Sequence, residues 1–169
     1  KGIKVFYYIS PKVWAWKKNR VELLKKYVDE LIVIFPFEVD YFKKEGIKAH
    51  YFGNPISDEI KKKTEKLLID DKKSIISILP GSRKQEIKKS LPIMLDVIPK
   101  FTGYHFIVAS TENMYDLCQQ ISTEKNVEVV KNQTYSVLRK SEFALVTSGT
   151  ATLEAAMLNV PQLVCYKTD

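Results

Sequence analysis

Cysteine and histidine are scarce in this 169-residue sequence, with two of each. Cys118 and Cys165 stand in unrelated contexts without the spacing of metal ligands, and we expect two reduced, buried thiols. The histidines are equally isolated from other ligand-type residues. An Asp-x-Asp motif, which would hold a divalent ion, is also missing, and Asp70-Asp71 lies in a charge-rich stretch typical of solvated surface. We therefore expect neither a metal site nor another cofactor.

Long apolar runs are absent too. No stretch approaches the roughly 20 residues that a membrane-spanning helix needs, and no signal-peptide pattern opens the chain. Hydrophobic residues nevertheless make up 45% of the sequence, which is enough for a packed globular core. The first residues, 1–4, lead directly into an apolar run, so we expect the chain to be a piece of a larger protein.

Positive charge is in excess and unevenly distributed, with a formal net charge of +7. Residues 1–57 hold 11 lysines and arginines against 6 acidic residues, whereas residues 58–169 hold 16 against 14. Such an excess suits nucleic acid, anionic lipid headgroups or phosphorylated substrates. No recognition-helix, RRM or KH signature accompanies it, so nucleic-acid binding is the least favoured of the three.

Short β-branched runs alternate with longer amphipathic ones, a pattern that predicts βαβ units and parallel sheets. The residues that follow charge-rich 53–73 begin a second series of this kind, which indicates two domains and a connection. We predict strands at 5–9, 31–35, 49–52, 74–79, 104–109, 127–130, 143–146 and 162–165. Helices are predicted at 13–28, 36–46, 84–101 with a bend near Pro92, 112–121, 134–139 and 149–158.

The first candidate site is the turn Pro80-Gly81-Ser82-Arg83, between a predicted strand and helix. Ligands of open α/β sheets bind at the carboxyl ends of strands, where this turn lies. Gly81 lets the backbone approach an anion and Arg83 offers a fork of donors to phosphate. An ordinary strand–helix turn, with Ser82 capping the helix, explains the same residues. The turn is not a Walker loop, because the GxxxxGK[ST] pattern is absent.

The second candidate site is Ser148-Gly149-Thr150, again between a strand and a helix. Free amides at the helix N-terminus, together with the two hydroxyls, suit a pyrophosphate. Glu154 lies about one turn further along an apolar helix and belongs to no capping box, because Ala151 stands three positions before it. Its carboxylate could accept hydrogen bonds from ribose hydroxyls, or it could be a solvated residue at the helix edge.

A third feature is the segment SPKVWAW at residues 10–16, in which Trp14 and Trp16 stand two positions apart beside Lys17 and Lys18. Core packing is the simpler explanation. The functional alternative is a cleft or membrane-facing edge, where amphipathic aromatics and lysines meet acyl chains and phosphates.

Taken in order and at these separations, SPKVWAW, LPGSRKQEI and SGTATLEAAMLNVPQLVCY resemble the lipid A disaccharide synthase family. The resemblance runs from Val5 to Tyr166. It implies a GT-B type α/β fold of two Rossmann-like parallel-sheet domains, here incomplete at both ends. Residues 1–57 would end the N-terminal acceptor domain, 58–73 would connect the domains, and 74–169 would form the core of the C-terminal UDP-sugar-binding domain.

The resemblance also implies a function. The family transfers 2,3-diacylglucosamine from UDP to 2,3-diacylglucosamine 1-phosphate (lipid X), with inversion and without metal. It works in the cytoplasm of Gram-negative bacteria, in peripheral contact with the inner membrane. The resemblance assigns UDP and phosphate binding to Gly81, Ser82, Arg83, Ser148, Gly149 and Thr150, and ribose binding to Glu154. By analogy of position alone, the loop at 131–133 would meet uracil.

One expectation concerns a residue that this stretch does not contain. The family's catalytic base is an acidic residue upstream of the matched region, so we expect this stretch alone to be inactive.

A UDP-GlcNAc 2-epimerase-like protein, or another GT-B UDP-sugar enzyme, would share the turns at Gly81 and Ser148. It would not be expected to share SPKVWAW, and this difference makes it the second choice. A nucleic-acid-binding protein is a distant third.

Overall fold

The structure is a computed structural model that describes residues 2–15, 19–63, 73–125 and 127–167. It divides into two compact units, unit 1 (Lys1–Glu59) and unit 2 (Ile60–Asp169). The predicted connection at 58–73 contains residues 64–72, which lie outside the described part of the chain, so its role stays a prediction.

Unit 1 holds a three-stranded parallel sheet in the order β1-β2-β3. Its elements are β1 (Phe6–Tyr8), α1 (Arg20–Tyr27), β2 (Glu30–Val33), α2 (Pro36–Lys44), β3 (Ala49–Tyr51) and α3 (Pro55–Lys62), which begins in unit 1. The core lies between the sheet and its helices and includes Val21, Leu24, Leu31 and Phe42. The apolar face predicted for the first helix, at Val21 and Leu24, is confirmed.

The predicted start of that helix at Val13 is wrong. Val13–Ala15 form a turn, in which the Val13 amide donates to the Pro11 carbonyl at 2.8 Å, and α1 begins at Arg20. Val13 is nevertheless buried in the core of unit 1. Because the apolar side chain of Val13 falls in step with Val21 and Leu24, the helical sequence pattern extends to a residue whose backbone forms a turn.

Unit 2 holds a five-stranded parallel sheet in the order β6-β5-β4-β7-β8. Its strands are β4 (Ser74–Leu79), β5 (Tyr104–Ser110), β6 (Glu128–Lys131), β7 (Ser141–Thr147) and β8 (Gln162–Cys165). Its helices are α4 (Lys84–Leu95), α5 (Tyr115–Ser122), α6 (Thr134–Lys140) and α7 (Thr150–Met157), with single 3-10 turns at Ile98–Lys100 and Glu112–Met114. The predicted parallel α/β architecture is confirmed.

Each face of this sheet is covered by helices, and a separate apolar cluster lies on each face. One cluster packs Val137, Leu138 and Ala155 of α6 and α7 against the sheet. The other packs Ile87, Leu91 and Cys118 of α4 and α5 against the opposite face. Burial on both faces explains why β4 is an almost continuous apolar run. A strand that is covered on both sides does not need to alternate apolar and polar side chains.

The strand order reverses between β4 and β7. The chain leaves β4 toward β5 and β6 on one side, and later adds β7 and β8 on the other. Helices that leave two neighbouring strands in opposite directions open a crevice at the carboxyl ends of those strands. The fold therefore places a crevice where Leu79 and Thr147 end their strands.

Candidate functional site

A cleft of about 530 Å³ opens in unit 2 at this point. It is lined by every residue that the sequence assigned to phosphate or ribose binding, namely Gly81, Ser82, Arg83, Ser148, Gly149, Thr150 and Glu154. The two candidate turns, far apart in sequence, thus form opposite parts of one cavity. Their binding roles stay predictions.

The turn after β4 depends on Gly81. Its φ of +100° is a conformation that side chains rarely adopt, and a Cβ there would lie 2.9 Å from Glu86 Oε2 and 3.1 Å from Thr147 Oγ1. The alternative in which Ser82 caps the helix is wrong: Arg83 is the N-cap of α4, and no side chain caps this helix end. Because Ser82 is one residue too early to cap, its exposed hydroxyl remains available to the cleft.

Arg83 is exposed and pairs with Glu86, with Nη1 and Oε1 2.8 Å apart. An exposed ion pair of this kind contributes little to stability, roughly 0–1 kcal/mol. A phosphate group carries more charge than the carboxylate and can accept a two-pronged hydrogen bond from a guanidinium. Arg83 can therefore turn from Glu86 to a phosphate at low cost.

The turn after β7 exposes a helix end to the same cleft. Gly149, with a φ of +123°, is the N-cap of α7, and no side-chain hydrogen bond caps this end. Thr147 Oγ1 donates to the Leu79 carbonyl at 3.4 Å, which ties the end of β7 to the end of β4. The first amides of α7 and the exposed Ser148 and Thr150 therefore form an anion-accepting edge.

Glu154 lies on the cleft side of α7 and is half-buried. Its Oε1 accepts a hydrogen bond from the Tyr135 hydroxyl at 3.0 Å. Tyr135 is itself buried and lines the same cleft. The carboxylate is thus held by a neighbour, which makes a merely solvated glutamate the poorer explanation.

Sequence reasoning missed the third side of the cleft. This side is formed by the end of β5 and the start of α6, through Ser110, Thr111, Thr134, Tyr135 and Ser136, together with Lys63. The position of Ser110 at the end of a neighbouring parallel strand was a usable signal, because such ends meet at one edge of a sheet. Tyr135 gave no signal, since an aromatic in a short helix usually belongs to the core.

The loop at 131–133, assigned to uracil by analogy, contributes two residues to the cleft, Asn132 and Gln133. Lys131 instead pairs with Glu112 at 2.8 Å. The Asn132 side chain accepts from the Glu112 amide at 3.0 Å and donates to its carboxylate at 2.8 Å, which braces the loop against the 3-10 turn. Its contact with uracil stays a prediction.

Residues 2–15, 19–63, 73–125 and 127–167 hold no group of three or more histidine, cysteine, aspartate or glutamate side chains that could bind a metal ion. Within the same ranges, no helix combines the length and apolarity that crossing a membrane requires.

The SPKVWAW segment lies in unit 1, and its polar atoms converge on Glu38. Glu38 is completely buried, and its Oε1 accepts from Lys12 Nζ and Trp14 Nε1, each at 2.9 Å, and from Ser10 Oγ at 3.4 Å. Its Oε2 accepts from the amide of Phe35 at 3.0 Å. Trp16, Lys17 and Lys18, the other residues assigned here to a membrane or acceptor cleft, lie outside the described residues.

This arrangement sets the charge of Glu38. Burial would raise the pKa of its carboxyl, but the hydrogen bonds from Trp14, Lys12 and the Phe35 amide outweigh burial and hold the pKa below its ordinary value. Trp14 is about one-third exposed and meets Phe37 edge to face at 5.0 Å. Lys12 Nζ lies 4.5 Å from the ring centre of Phe35. The segment thus presents an aromatic and cationic surface that a buried carboxylate organises.

Comparison with known proteins identifies the family. The sequence model of the lipid-A-disaccharide synthetase family (LpxB) matches residues 1–169, which is the entire chain. The chain belongs to the lipid-A-disaccharide synthetase family. The family resemblance inferred from the three motifs is therefore confirmed.

Two curated lipid-A-disaccharide synthases illustrate the relation. The Persephonella marina protein is 38% identical over 189 residues, covering 100% of this chain and 50% of its own length. The Francisella philomiragia protein is 35% identical over 182 residues, covering 98% of this chain and 48% of its own length. The chain therefore spans about half the length of the lipid-A-disaccharide synthases that it matches.

A solved structure shares the fold of this chain. The S. aureus MnaA–UDP co-structure superposes with a TM-score of 0.68 at 19% sequence identity, covering 96% of this chain and 51% of that one. At this identity the likeness shows the fold alone. The predicted GT-B type fold, with two Rossmann-like parallel-sheet units, is confirmed.

Proposed function

We propose that this chain carries the UDP-sugar site of an enzyme that transfers 2,3-diacylglucosamine from UDP to 2,3-diacylglucosamine 1-phosphate (lipid X). The products are lipid A disaccharide 1-phosphate and UDP, with inversion at the transferred anomeric carbon. One observation carries the proposal: all seven residues assigned to the donor line one cleft at the strand-order reversal, in a chain of this family.

The two turns would hold the diphosphate between them. Arg83 would exchange Glu86 for a phosphate oxygen, while the backbone at Gly81 approaches closely because no Cβ is present. The first amides of α7, with Ser148 and Thr150, would accept the other phosphate. These groups stabilise negative charge, which grows on the diphosphate as the glycosidic bond to it breaks. Metal is not required for that stabilisation.

Glu154 and the loop at 131–133 would hold the nucleoside. A carboxylate can accept hydrogen bonds from both ribose hydroxyls, and Glu154 lies one helical turn from the phosphate end of α7. Gln133 and Asn132 border the same cleft and would face the uracil. The general base that takes the proton of the acceptor hydroxyl would come from outside the region matched here, so this chain alone would be inactive.

Unit 1 would face the acceptor and the membrane. The basic composition of residues 1–57 and the partly exposed Trp14 beside Lys12 suit an acylated, phosphorylated acceptor at the surface of an anionic bilayer. We infer a cytoplasmic enzyme in peripheral contact with the inner membrane of a Gram-negative bacterium.

Calorimetric titration of UDP into the chain tests the donor site. We expect saturable binding that weakens about ten- to a hundredfold in both Arg83→Ala and Glu154→Ala, because each loses a hydrogen bond that involves a charged group. Arg20→Ala and Glu142→Ala are matched controls, since both side chains are exposed and neither lines the cleft. They should bind UDP as the unchanged chain does.

The outcomes separate the cleft from the rest of the protein. Unchanged affinity in both cleft variants would contradict the assignment of the cleft to UDP. Absence of binding by a folded sample calls for the same titration on the full-length protein. Binding there would mean that segments outside this chain complete the site, and no binding there would refute the proposal.

A further inference from the structure

Tyr135 has no role in the assignments above, although it is placed to act on Glu154. Its hydroxyl donates to Glu154 Oε1 at 3.0 Å in a part-buried hydrogen bond, and the tyrosine residue is only 8% exposed. Among the described residues Oε1 alone of the two carboxylate oxygens has a hydrogen-bond partner. Glu154 therefore keeps Oε2, and the second lone pair of Oε1, for a ligand.

The helix that carries Tyr135 is fixed at its other end. Val137 and Leu138, two and three positions after Tyr135, are completely buried in the core beneath α6. Arg139 follows one turn after Tyr135, and its guanidinium donates to the main-chain carbonyls of Ile60 and Lys63. With both its apolar face and its last turn anchored, α6 cannot follow Glu154 if that side chain turns.

A fixed donor decides which rotamer the glutamate adopts. A free, half-buried glutamate samples several rotamers, and a ligand must pay the entropy of selecting one. The Tyr135 hydroxyl selects one before the ligand arrives. This arrangement favours a ligand that presents two adjacent hydroxyls to one carboxylate, as the cis-diol of a ribose does.

We propose that Tyr135 is a positioning residue, which holds the Glu154 carboxylate so that the cleft selects nucleotides with free 2′ and 3′ hydroxyls. The inference rests on the proposed donor site, because it assumes that the nucleoside lies at Glu154. It adds a second residue, outside the family's motif, and a stated specificity for ribose over dideoxyribose.

The test compares UDP with 2′,3′-dideoxy-UDP in calorimetric titrations of the full-length protein. We expect Tyr135→Phe to weaken UDP about three- to tenfold, as for loss of one hydrogen bond, and to leave the dideoxy compound unaffected. Glu154→Gln should weaken UDP more, again without affecting the dideoxy compound. The double variant should bind UDP no more weakly than Glu154→Gln alone, because Tyr135 acts through Glu154.

Tyr115→Phe is the matched control in the same unit. Tyr115 also makes one side-chain hydrogen bond, from Gln119 at 2.8 Å, but it does not line the cleft. This variant should bind both ligands normally. A thermal melt of each variant shows whether the sample is folded.

Each other result overturns the inference, and the results are distinguishable. If Tyr135→Phe weakens both ligands equally, or adds its full effect in the double variant, the tyrosine supports the cleft in general and does not position Glu154. If the unchanged protein binds both ligands equally, Glu154 does not meet the ribose, although the diphosphate site stands. If it binds neither, the proposed donor site fails together with the inference.

Discussion

At the scale of the residue, Glu38 shows how one buried carboxylate can hold an aromatic and cationic surface in place. Lys12 and Trp14 both donate to it, and both remain partly exposed. The Phe35 amide donates to its other oxygen, as the N-cap amide does to the third helical residue of a capping box. A carboxylate with this many donors is charged in the folded state, in agreement with the direction of its pKa.

Replacing Glu38 by glutamine should therefore destabilise unit 1. The amide loses the charge that pairs with Lys12 and turns an NH₂ group toward donors, so we expect about 2–3 kcal/mol less free energy of unfolding at pH 7. Urea denaturation measures it. Glu22→Gln is the control, because Glu22 forms only an exposed pair with Lys25 and should lose under ~0.5 kcal/mol.

The difference in the free energy of unfolding between the wild type and Glu38→Gln should also depend on pH. The folded-state pKa of Glu38 lies below its ordinary value, so its contribution is complete above the ordinary carboxyl range of about 4.3. It is lost as the pH falls through the lower, folded-state pKa. The gap should narrow on acidification, and a gap that stays constant down to pH 3 would contradict a charged Glu38.

The sequence predicted the unusual character of Trp14 but not its partner. Glu38 is 24 positions away along the chain, and by itself it reads as an acidic residue in the first turn of a helix. Tyr135 and Glu154 pose the same problem, because their pairing depends on how α6 and α7 pack on one face of the sheet. Side-chain partners across elements are decided by packing, which local patterns do not contain.

At the scale of the element, local patterns performed better. Strand β8 was predicted with both ends correct, because Pro161 precedes a short, largely apolar run that ends before Tyr166 and Lys167. Helix α4 begins as predicted at Lys84 but ends at Leu95, since a 3-10 turn at Ile98–Lys100 replaces its last turns. The error at Val13 has a different cause: Val13 is buried and has the spacing from Val21 and Leu24 that a helix would give, although it lies in a turn.

The turn after β4 gives a prediction at this scale. Gly81→Ala must keep a φ of +100° and place a Cβ 3.1 Å from Thr147 Oγ1, while the Glu86 carboxylate has to move aside, so we expect about 2 kcal/mol of destabilisation and at least tenfold weaker UDP binding. Thermal denaturation and the UDP titration measure the two effects.

Gly103→Ala is the matched control for this substitution. Gly103 also lies in a turn of unit 2, but an added Cβ would meet nothing within 4 Å and its φ is not positive. We expect an effect within about 0.5 kcal/mol and unchanged UDP affinity. If Gly81→Ala changed stability and UDP affinity as little as Gly103→Ala does, the turn after β4 would not require glycine. The proposed close approach of its backbone to a phosphate would then lose its basis.

At the scale of the whole molecule, the chain carries separate cores. The core of unit 1 is built from residues between Val13 and Ala49, and both clusters of unit 2 from residues between Ile75 and Cys165. The cleft belongs entirely to unit 2. A ligand in that cleft is therefore expected to stabilise one unit and not the other.

Amide hydrogen exchange with and without UDP measures this selectivity. A ligand at about a hundred times its Kd stabilises the form it binds by about 2.7 kcal/mol, so the slowest amides of β4, β5 and β7 should exchange about a hundredfold more slowly. Amides of β2 in unit 1 should keep their rates. Glu154→Ala, at the same UDP concentration, should lose most of the slowing in unit 2.

Equal slowing in β2 would show that the units unfold as one cooperative structure, whereas slowing confined to β2 would place the nucleotide outside the cleft. The experiment thus answers two questions that the sequence alone does not: which residues unfold together as one core, and which core binds the ligand.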